Sequence, residues 1–279
     1  MEFEEDAFVL SARPHGEAGA IVELLTASRG RWAAHVAGGN SIVWDNQGQL
    51  HMAYNDTAAG DLKYSVRDAN GNWSIVQTID NGTLVGGYPS LALDSKGNPA
   101  VAYFDGNGGD LKFAQLVNGA WQTQTVDAPG SVGLYPTLIF SRHDGAMISY
   151  YQHTKGDLRL AVQVTGGWQI TTVDSAGDVG RCTSMVLDPN RPTASKVAIA
   201  YEDSTHGDNK FAIQSGTGYS ITTVDPSLTV GGGYTSLVYE PYEVNGTYHP
   251  TMSYYDSGNT AVKFARMDDN GAWDTDFVF

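Results

Sequence analysis

Carboxylates recur at one spacing along the chain. Asp56, Asp105, Asp203 and Asp256 each lie seven residues before a basic residue (Lys63, Lys112, Lys210 and Lys263), and Gln152 stands in the same relation to Arg159. Two carboxylates at a suitable separation can hydrolyse glycosidic bonds as acid and base or as acid and nucleophile. A residue present in nearly every copy of a repeat is more economically a turn residue whose carboxylate accepts backbone N–H groups. Departures from the repeat are therefore better markers of chemistry than the repeat itself. Gln152-His153 replaces the usual Asp, Arg181-Cys182 replaces Gly-Tyr before a first strand, and Glu202-Asp203 with His206 concentrates charge in one copy. Tyr88, Tyr135 and Tyr234 sit in the connection leading into a first strand and offer aromatic faces suited to sugar or peptide. The candidate ligand-binding set is thus Tyr88, Tyr135, Arg181, Tyr234, Asp105, His153, Glu202, His206 and Asp256. Tyr residues with one Arg and scattered carboxylates suit a polar uncharged or cationic ligand. No catalytic residue is assigned.

Metal chemistry finds little support. The run Asp105-Gly106-Asn107-Gly108-Gly109-Asp110 resembles the start of a calcium loop, but its twelfth position is Leu116 where a bidentate acid is required. The seven histidines show no His-x-x-x-His spacing, and the single Cys182 excludes a cysteine-ligated zinc cluster. No metal or cofactor is expected.

The elements that position these residues come from an internal repeat. Gly-x-Trp recurs at Gly71-Asn72-Trp73, Gly119-Ala120-Trp121 and Gly271-Ala272-Trp273, shortened at Gly167-Trp168, with Gly218-Tyr219 standing in once. Nine or ten residues earlier comes the basic residue, seven before that the acid or Gln152, and just ahead of these Tyr54, Tyr103, Tyr150, Tyr201 or Tyr254. Each copy reads as four short strands. In one copy these are residues 90–94, 100–103, 111–116 and 122–126, the third alternating apolar and polar as a half-buried strand does. Radially arranged four-stranded antiparallel units of this length are the blades of an all-β β-propeller. The blades are expected at about 41–80, 86–127, 132–174, 179–225 and 231–279. The tryptophans are expected to be buried pins near the outer strand of each blade, and Asp110, Asp157 and Asp208 to serve the turns before the third strands.

Asp68-Ala69-Asn70-Gly71-Asn72-Trp73 and Asp268-Asp269-Asn270-Gly271-Ala272-Trp273 are similar to the degenerate Asp-box repeats of bacterial propellers, of which sialidases are the best-known enzymes. The resemblance implies a turn between third and fourth strands, on the face away from the binding site. It implies fold and not activity, and the serine that begins a full Asp box is missing. Sialidase chemistry would need three convergent arginines, and only Arg181 lies in a suitable connection.

Residues 1–39 lack the repeat markers. The runs Ala7–Glu17, Ala20–Thr26, Gly30-Arg31 and Val36–Gly39 resemble the N-terminus of the RecO family of DNA repair proteins, which implies the opening strands of an OB-fold barrel. The resemblance stops at Gly39, short of the rest of that barrel and of the family's helical domain. The same residues also fit the propeller register. Gly30-Arg31-Trp32 reproduces Gly-x-Trp, Glu23 takes the place of the basic residue, and 36–41 align with 85–90. Phe8, Leu10, Ile21 and Leu24 then supply the apolar face. We read a chimera of six blades in one compact domain, with residues 1–39 as an incomplete three-stranded blade and 40–279 as five full ones. Five blades plus an N-terminal hairpin is the alternative.

The chain has 279 residues with 31 acidic and 16 basic side chains, a net charge of −15, which opposes binding to nucleic acid or anionic membranes. Residues 1–39 carry six acids against Arg13, Arg29 and Arg31, so a DNA-repair role fails on local charge too. No apolar run approaches the ~18 residues of a membrane helix. The acidic start differs from a secretory signal, so a cytoplasmic location is expected for the chain as it stands, although the propeller family is often exported. A monomer is expected. The function expected is a binding or scaffold propeller recognising carbohydrate or peptide, with a glycan-processing hydrolase or lyase as the alternative.

Overall fold

The computed structural model describes residues 7–15, 19–26, 30–37, 39–226, 232–242 and 244–278, with side chains described for 39–226, 234–242, 244–276 and 278. Trp32, Glu23, Phe8, Leu10, Ile21 and Leu24 therefore lie outside the described side chains. Two compact units are present, one of residues 1–108 with 112–125 and one of 109–111 with 126–279.

The first strands, β1 (Ala7–His15), β2 (Gly19–Thr26) and β3 (Gly30–Ala37), form a three-stranded antiparallel sheet in the order β1-β2-β3. A second sheet holds β4 (Asn40–Trp44), β5 (Leu50–Asp56), β6 (Asp61–Arg67) and β7 (Gln77–Asp80). The third holds β8 (Val85–Leu93), β9 (Pro99–Asp105), β10 (Asp110–Val117) and β11 (Ala120–Asp127). The fourth holds β12 (Val132–Phe140), β13 (Ala146–Gln152), β14 (Asp157–Val164) and β15 (Gly167–Asp174). The fifth holds β16 (Val179–Leu187), β17 (Val197–Asp203), β18 (Asp208–Ser215) and β19 (Gly218–Thr223). The last holds β20 (Gly232–Tyr239), β21 (Pro250–Asp256), β22 (Ala261–Met267) and β23 (Trp273–Phe277). The body is thus five four-stranded antiparallel meanders at the positions the repeat marks.

Small and β-branched residues fill the strand centres because two faces must be covered at once. In β9, Ala100, Val101, Ala102 and Tyr103 are fully buried, and β17 repeats the pattern with Val197, Ala198, Ile199, Ala200 and Tyr201. Within the first unit Leu62, Tyr64, Val85, Leu91 and Tyr103 form one core cluster. Within the second, Leu158, Leu160, Val179, Met185 and Ile199 form another, and Phe211, Leu237, Met252 and Tyr254 a third.

Consecutive sheets are joined by a repeated polar clasp. The carboxylate at the end of one sheet accepts the hydroxyl of the next sheet's repeat Tyr and its basic side chain. Asp80 takes Tyr103 at 2.7 Å and Lys112 at 2.5 Å. Asp127 takes Tyr150 at 2.7 Å and Arg159 at 2.9 Å. Asp174 takes Tyr201 at 2.7 Å, and Asp225 takes Tyr254 and Lys263, each at 2.8 Å. Buried hydroxyls and charges need such partners. In the first four-stranded sheet Lys63 instead bonds Asp61 at 2.6 Å and Thr78 at 3.0 Å, both in its own sheet.

The pins need correction. Trp73 is 49% exposed and pairs with Arg67 in an isolated bridge, with β7 beginning four residues later. Trp121, Trp168 and Trp273 are half-buried rather than buried. Burial depends on a partner from the preceding sheet: Trp121 meets Tyr64 edge-on at 5.0 Å, and Trp273 meets Phe211 at 5.2 Å. Asp110, Asp157 and Asp208 open the third strands β10, β14 and β18.

Candidate functional site

The first strands β8, β12 and β16 carry a double irregularity near their starts, where the register shifts twice, as at Val132/Leu134 and Leu134/Thr137, and β20 shifts once, between Gly233 and Ser236. Tyr88, Tyr135, Cys182 and Tyr234 occupy equivalent positions there, with φ of 50°, 52°, 50° and 56°. A left-handed conformation costs a residue with a Cβ roughly 1–2 kcal/mol, and such strain tends to be kept at ligand sites. In the first four-stranded sheet the same place is taken by Gly39, φ 70°. The bulge also brings backbones close: a Cβ on Gly133 would lie 2.6 Å from Leu111 Cα, and one on Gly180 2.7 Å from Leu158 Cα. Serine and threonine then tie neighbouring first strands together, Thr137 donating to the Thr183 carbonyl at 2.7 Å and Thr235 to the Cys182 carbonyl at 2.6 Å.

In the second unit this framework gathers Tyr135, His153, Arg181 and Glu202 from the sequence-derived set. Two residues outside that set, Tyr151 and Asp178, hold them together. Arg181 Nη2 donates to Asp178 Oδ2 at 2.9 Å, and the guanidinium lies over the Tyr151 ring at 5.3 Å. Tyr151 donates its hydroxyl to the other Asp178 oxygen. Its ring is 6.5 Å from that of Tyr135 and 5.8 Å from that of His153. Glu202 is the cross-strand partner of Arg181 and accepts the Ser204 hydroxyl at 2.8 Å. Asp178 is fixed in turn by Thr205, whose hydroxyl accepts the Asp178 N–H at 2.6 Å. Arg181 Nε is buried and has no hydrogen-bond partner.

The electrostatics follow from burial. Desolvation, aided by the bond to Asp178, raises the Tyr151 phenol, so it is neutral and a donor. Burial also raises the Glu202 carboxyl above its ordinary value of 4.5, against the Ser204 bond and the Arg181 charge. Burial pulls the Arg181 guanidinium down, but its bond to Tyr151 and the charges of Asp178 and Glu202 outweigh that and leave it raised. The result is one cation, one carboxylate and a second carboxyl reluctant to ionise, beside the buried Tyr151 ring and the half-buried Tyr135 ring.

The other candidates have partners or positions of their own. Asp105 Oδ1 accepts the Asn107 and Gly108 N–H groups at 3.0 and 3.1 Å. Asp256 is fully buried, accepting the Asn259 N–H at 3.1 Å and facing Lys263 at 3.0 Å. His206 is turned onto Asp203 at 2.9 Å. Gln152 makes the same turn contact, to the Lys155 N–H at 3.0 Å. Tyr88 and Tyr234 sit in bulges of other sheets, Tyr234 39% exposed. Tyr151 and Asp178 were missed, yet a signal exists: the position after each repeat Tyr reads Asn55, Phe104, Tyr151, Glu202, Tyr255, the variability the departures argument asks for. Among the described residues no group of three His, Cys, Asp or Glu side chains could hold a metal.

Residues 1–52 match the family described as Recombination protein O N terminal, thirteen residues beyond the resemblance read from the sequence. The chain is similar to the DNA repair protein RecO of Phenylobacterium zucineum (strain HLK1), 78% identical over 41 residues, which are 15% of this chain and 17% of that protein. RecO of Caulobacter vibrioides (strain NA1000 / CB15N) is 71% identical over 41 residues, with the same shares. The match thus spans about a sixth of these relatives' length. Among solved structures, the fungal lectin of Aleuria aurantia, a six-bladed β-propeller with a fucose recognition mode, has TM-score 0.56 and 12% identity, covering 95% of this chain and 92% of that one. A family PL25 ulvan lyase bound to a GlcA–Rha3S saccharide has TM-score 0.62 and 11% identity, covering 97% and 82%. A protein of unknown function from Dyadobacter fermentans DSM 18053 has TM-score 0.58 and 10% identity, covering 86% and 82%. At such identities the likeness is one of fold. The chain therefore joins a RecO-like N-terminal segment to a β-propeller-like all-β body of the kind shared by lectins and polysaccharide lyases.

Proposed function

We propose that the body is a carbohydrate-binding propeller whose site is centred on Tyr135, Tyr151 and Arg181, with His153 and Glu202 at its edge. One observation carries this reading: Arg181 is oriented by Asp178 and stacked on Tyr151, yet keeps a buried Nε–H without an acceptor. A saccharide hydroxyl or ring oxygen supplies that acceptor, and the half-exposed Tyr135 offers a face for the apolar side of a sugar ring. With Asp178 and Glu202 close by, the ligand is polar and uncharged rather than acidic. A glycan array probed with wild-type, Tyr135→Ala and Arg181→Gln proteins tests it. Retention of neutral glycans by the wild type, lost in both variants, is expected. Absence of retention by the wild type would leave a bare scaffold.

Glycan cleavage is a second reading, favoured by the raised Glu202 carboxyl, which suits a proton donor. Release of reducing sugar or unsaturated products from polysaccharides, abolished by Glu202→Gln, would support it over simple binding. A DNA-repair role is not proposed, because the match covers only the opening of RecO and that segment is acidic. We propose instead that the β1–β3 sheet takes the part of a blade beside β4–β7, in a molecule that functions as a monomer. The six-bladed fold of the lectin neighbour, which covers 95% of the chain, supports this.

A further inference from the structure

Two connections depart from the repeat at the far ends of their strands. Residues 45–49, 94–98 and 141–145 join first to second strands in short turns, whereas 188–196 and 240–249 are nearly twice as long. The two long links are locked together. Asn190 Nδ2 donates to the Tyr248 carbonyl at 2.8 Å, and Asn190 Oδ1 accepts the Tyr248 N–H at 2.8 Å.

A recess lies on either side of Asn190. One, about 420 Å³, is lined by Arg191, Thr193, Lys196, Gln214 and Ser215, with no carboxylate among its lining residues. Arg191 is largely exposed and faces Asp188 at 4.0 Å, and, among the described residues, Lys196 Nζ donates only to the neutral Gly216 carbonyl, at 3.1 Å. In a chain of net charge −15 this pair of cations is a local inversion of sign. The other recess, about 210 Å³, is a slot between apolar walls of Phe211, Ile213, Tyr239, Pro250 and Met267. Its acids are already engaged: Asp269 with His249 at 3.0 Å and Asn245 at 2.7 Å, and Asp268 with the Asn270 and Ala272 N–H groups, both at 2.8 Å.

We propose that the two recesses form one bipartite site, pivoting on Asn190, for a small aromatic anion. The ring enters the apolar slot, whose size suits one aromatic group, and the oxyanion rests against Arg191 and Lys196. The signs set the orientation, since Asp268 and Asp269 line the slot and not the cationic recess. This site is separate from the Tyr135–Arg181 cluster and stands or falls without it.

Three near-isosteric probes test it on the full chain: phenylpropionate, phenethyl alcohol and phenethylamine, followed by amide shifts in a nitrogen–proton correlation spectrum. Phenylpropionate should move the Asn190, Gly216, Tyr248 and His249 signals with millimolar affinity, falling about tenfold in Arg191→Gln and in Lys196→Gln. The alcohol should bind more weakly and the amine not at all. Arg191 is a surface residue, and an unchanged melting curve for Arg191→Gln will show that the variant is folded. Equal binding of alcohol and acid, preference for the amine, or undiminished acid binding by both variants would overturn the proposal.

Discussion

The Lys263 ammonium lies 2.8 Å from the Asp225 carboxylate at the end of the preceding sheet, and both side chains are almost fully buried. Asp256 faces the same ammonium at 3.0 Å, so one cation serves two carboxylates. Lys263→Met should therefore cost about 3–5 kcal/mol, because two buried acids lose their counter-charge. Lys263→Arg should cost far less, since Arg159 fills this place in another clasp. Urea unfolding of the two variants measures the difference, and equal losses would show that shape rather than charge governs the position.

The carboxylates around the repeat's basic side chains also set the acid limit of the fold. Burial pulls Asp80, Asp203 and Asp256 up, but bonds from Lys112 to Asp80, from Lys210 to Asp203, and from Asn259 and Lys263 to Asp256 hold them below 3.8. The unfolded chain then takes protons first, so their stabilisation is full above that value and lost as pH falls below it. Glu202 has the opposite sign. Its raised carboxyl is protonated first in the folded state, so stability rises as pH falls from neutral toward 4.5. Melting temperature should rise gently on mild acidification and drop below about pH 4. Glu202→Gln should remove the rise and leave the drop.

The two kinds of tryptophan should separate in denaturation. Trp121 packs edge-on against Tyr64 and donates its indole N–H to Gln77 at 2.9 Å, so Trp121→Ala should cost about 2–3 kcal/mol. Trp73→Ala removes a half-exposed ring and should cost less than about 1 kcal/mol. Similar losses at both sites would contradict the packing described.

Much of this architecture is written in the chain. The strands of the five full sheets, their turns and even the three strands of the RecO-like segment follow from alternation, Gly-rich turns and the repeat markers. Asp56, Asp105 and Asp203 cap turns as their recurrence implies. What could not be read is anything decided between sheets. Gly-x-Trp looks alike in every copy, but burial of its ring depends on which aromatic the preceding sheet presents, and the second carboxylate of Lys112, Lys210 and Lys263 (Asp80, Asp174 or Asp225) arrives only from the neighbouring sheet. Tyr151 was hidden by Tyr150, because adjacent strand residues face opposite sides of the sheet, both here buried, and only Tyr150 belongs to the repeat.

At the bulge the usual order of helix and strand preferences should invert. Tyr135→Gly relieves the left-handed strain that Tyr135→Ala retains, so the glycine variant should be more stable by about 1 kcal/mol. Both should lose glycan retention if the ring at 135 is a sugar platform. An alanine variant as stable as the glycine variant would mean that the backbone relaxes there.

Removal of residues 1–39 tests the proposed role of the β1–β3 sheet. Exposed apolar surface costs about 25 cal/mol per Å², so the truncated chain should aggregate or change its oligomeric state in light scattering. A monomer of unchanged melting temperature would show that β4–β7 does not rely on that sheet.

The carboxylate-to-lysine clasp also has a mechanical consequence. Each is a rivet between the tail of one sheet and the middle strands of the next, so tension drawn along the chain concentrates on one rivet at a time. Drawn out from its C-terminal end in an optical trap, the chain would give up β20–β23 when the Asp225–Lys263 rivet shears, then β16–β19 when Asp174 parts from the Tyr201 hydroxyl at 2.7 Å and from Lys210 at 3.5 Å. The trace would be a staircase of nearly equal lengthening steps. Among the described residues the stair ends at β4–β7, where Lys63 is fastened to Asp61 and Thr78 of its own sheet.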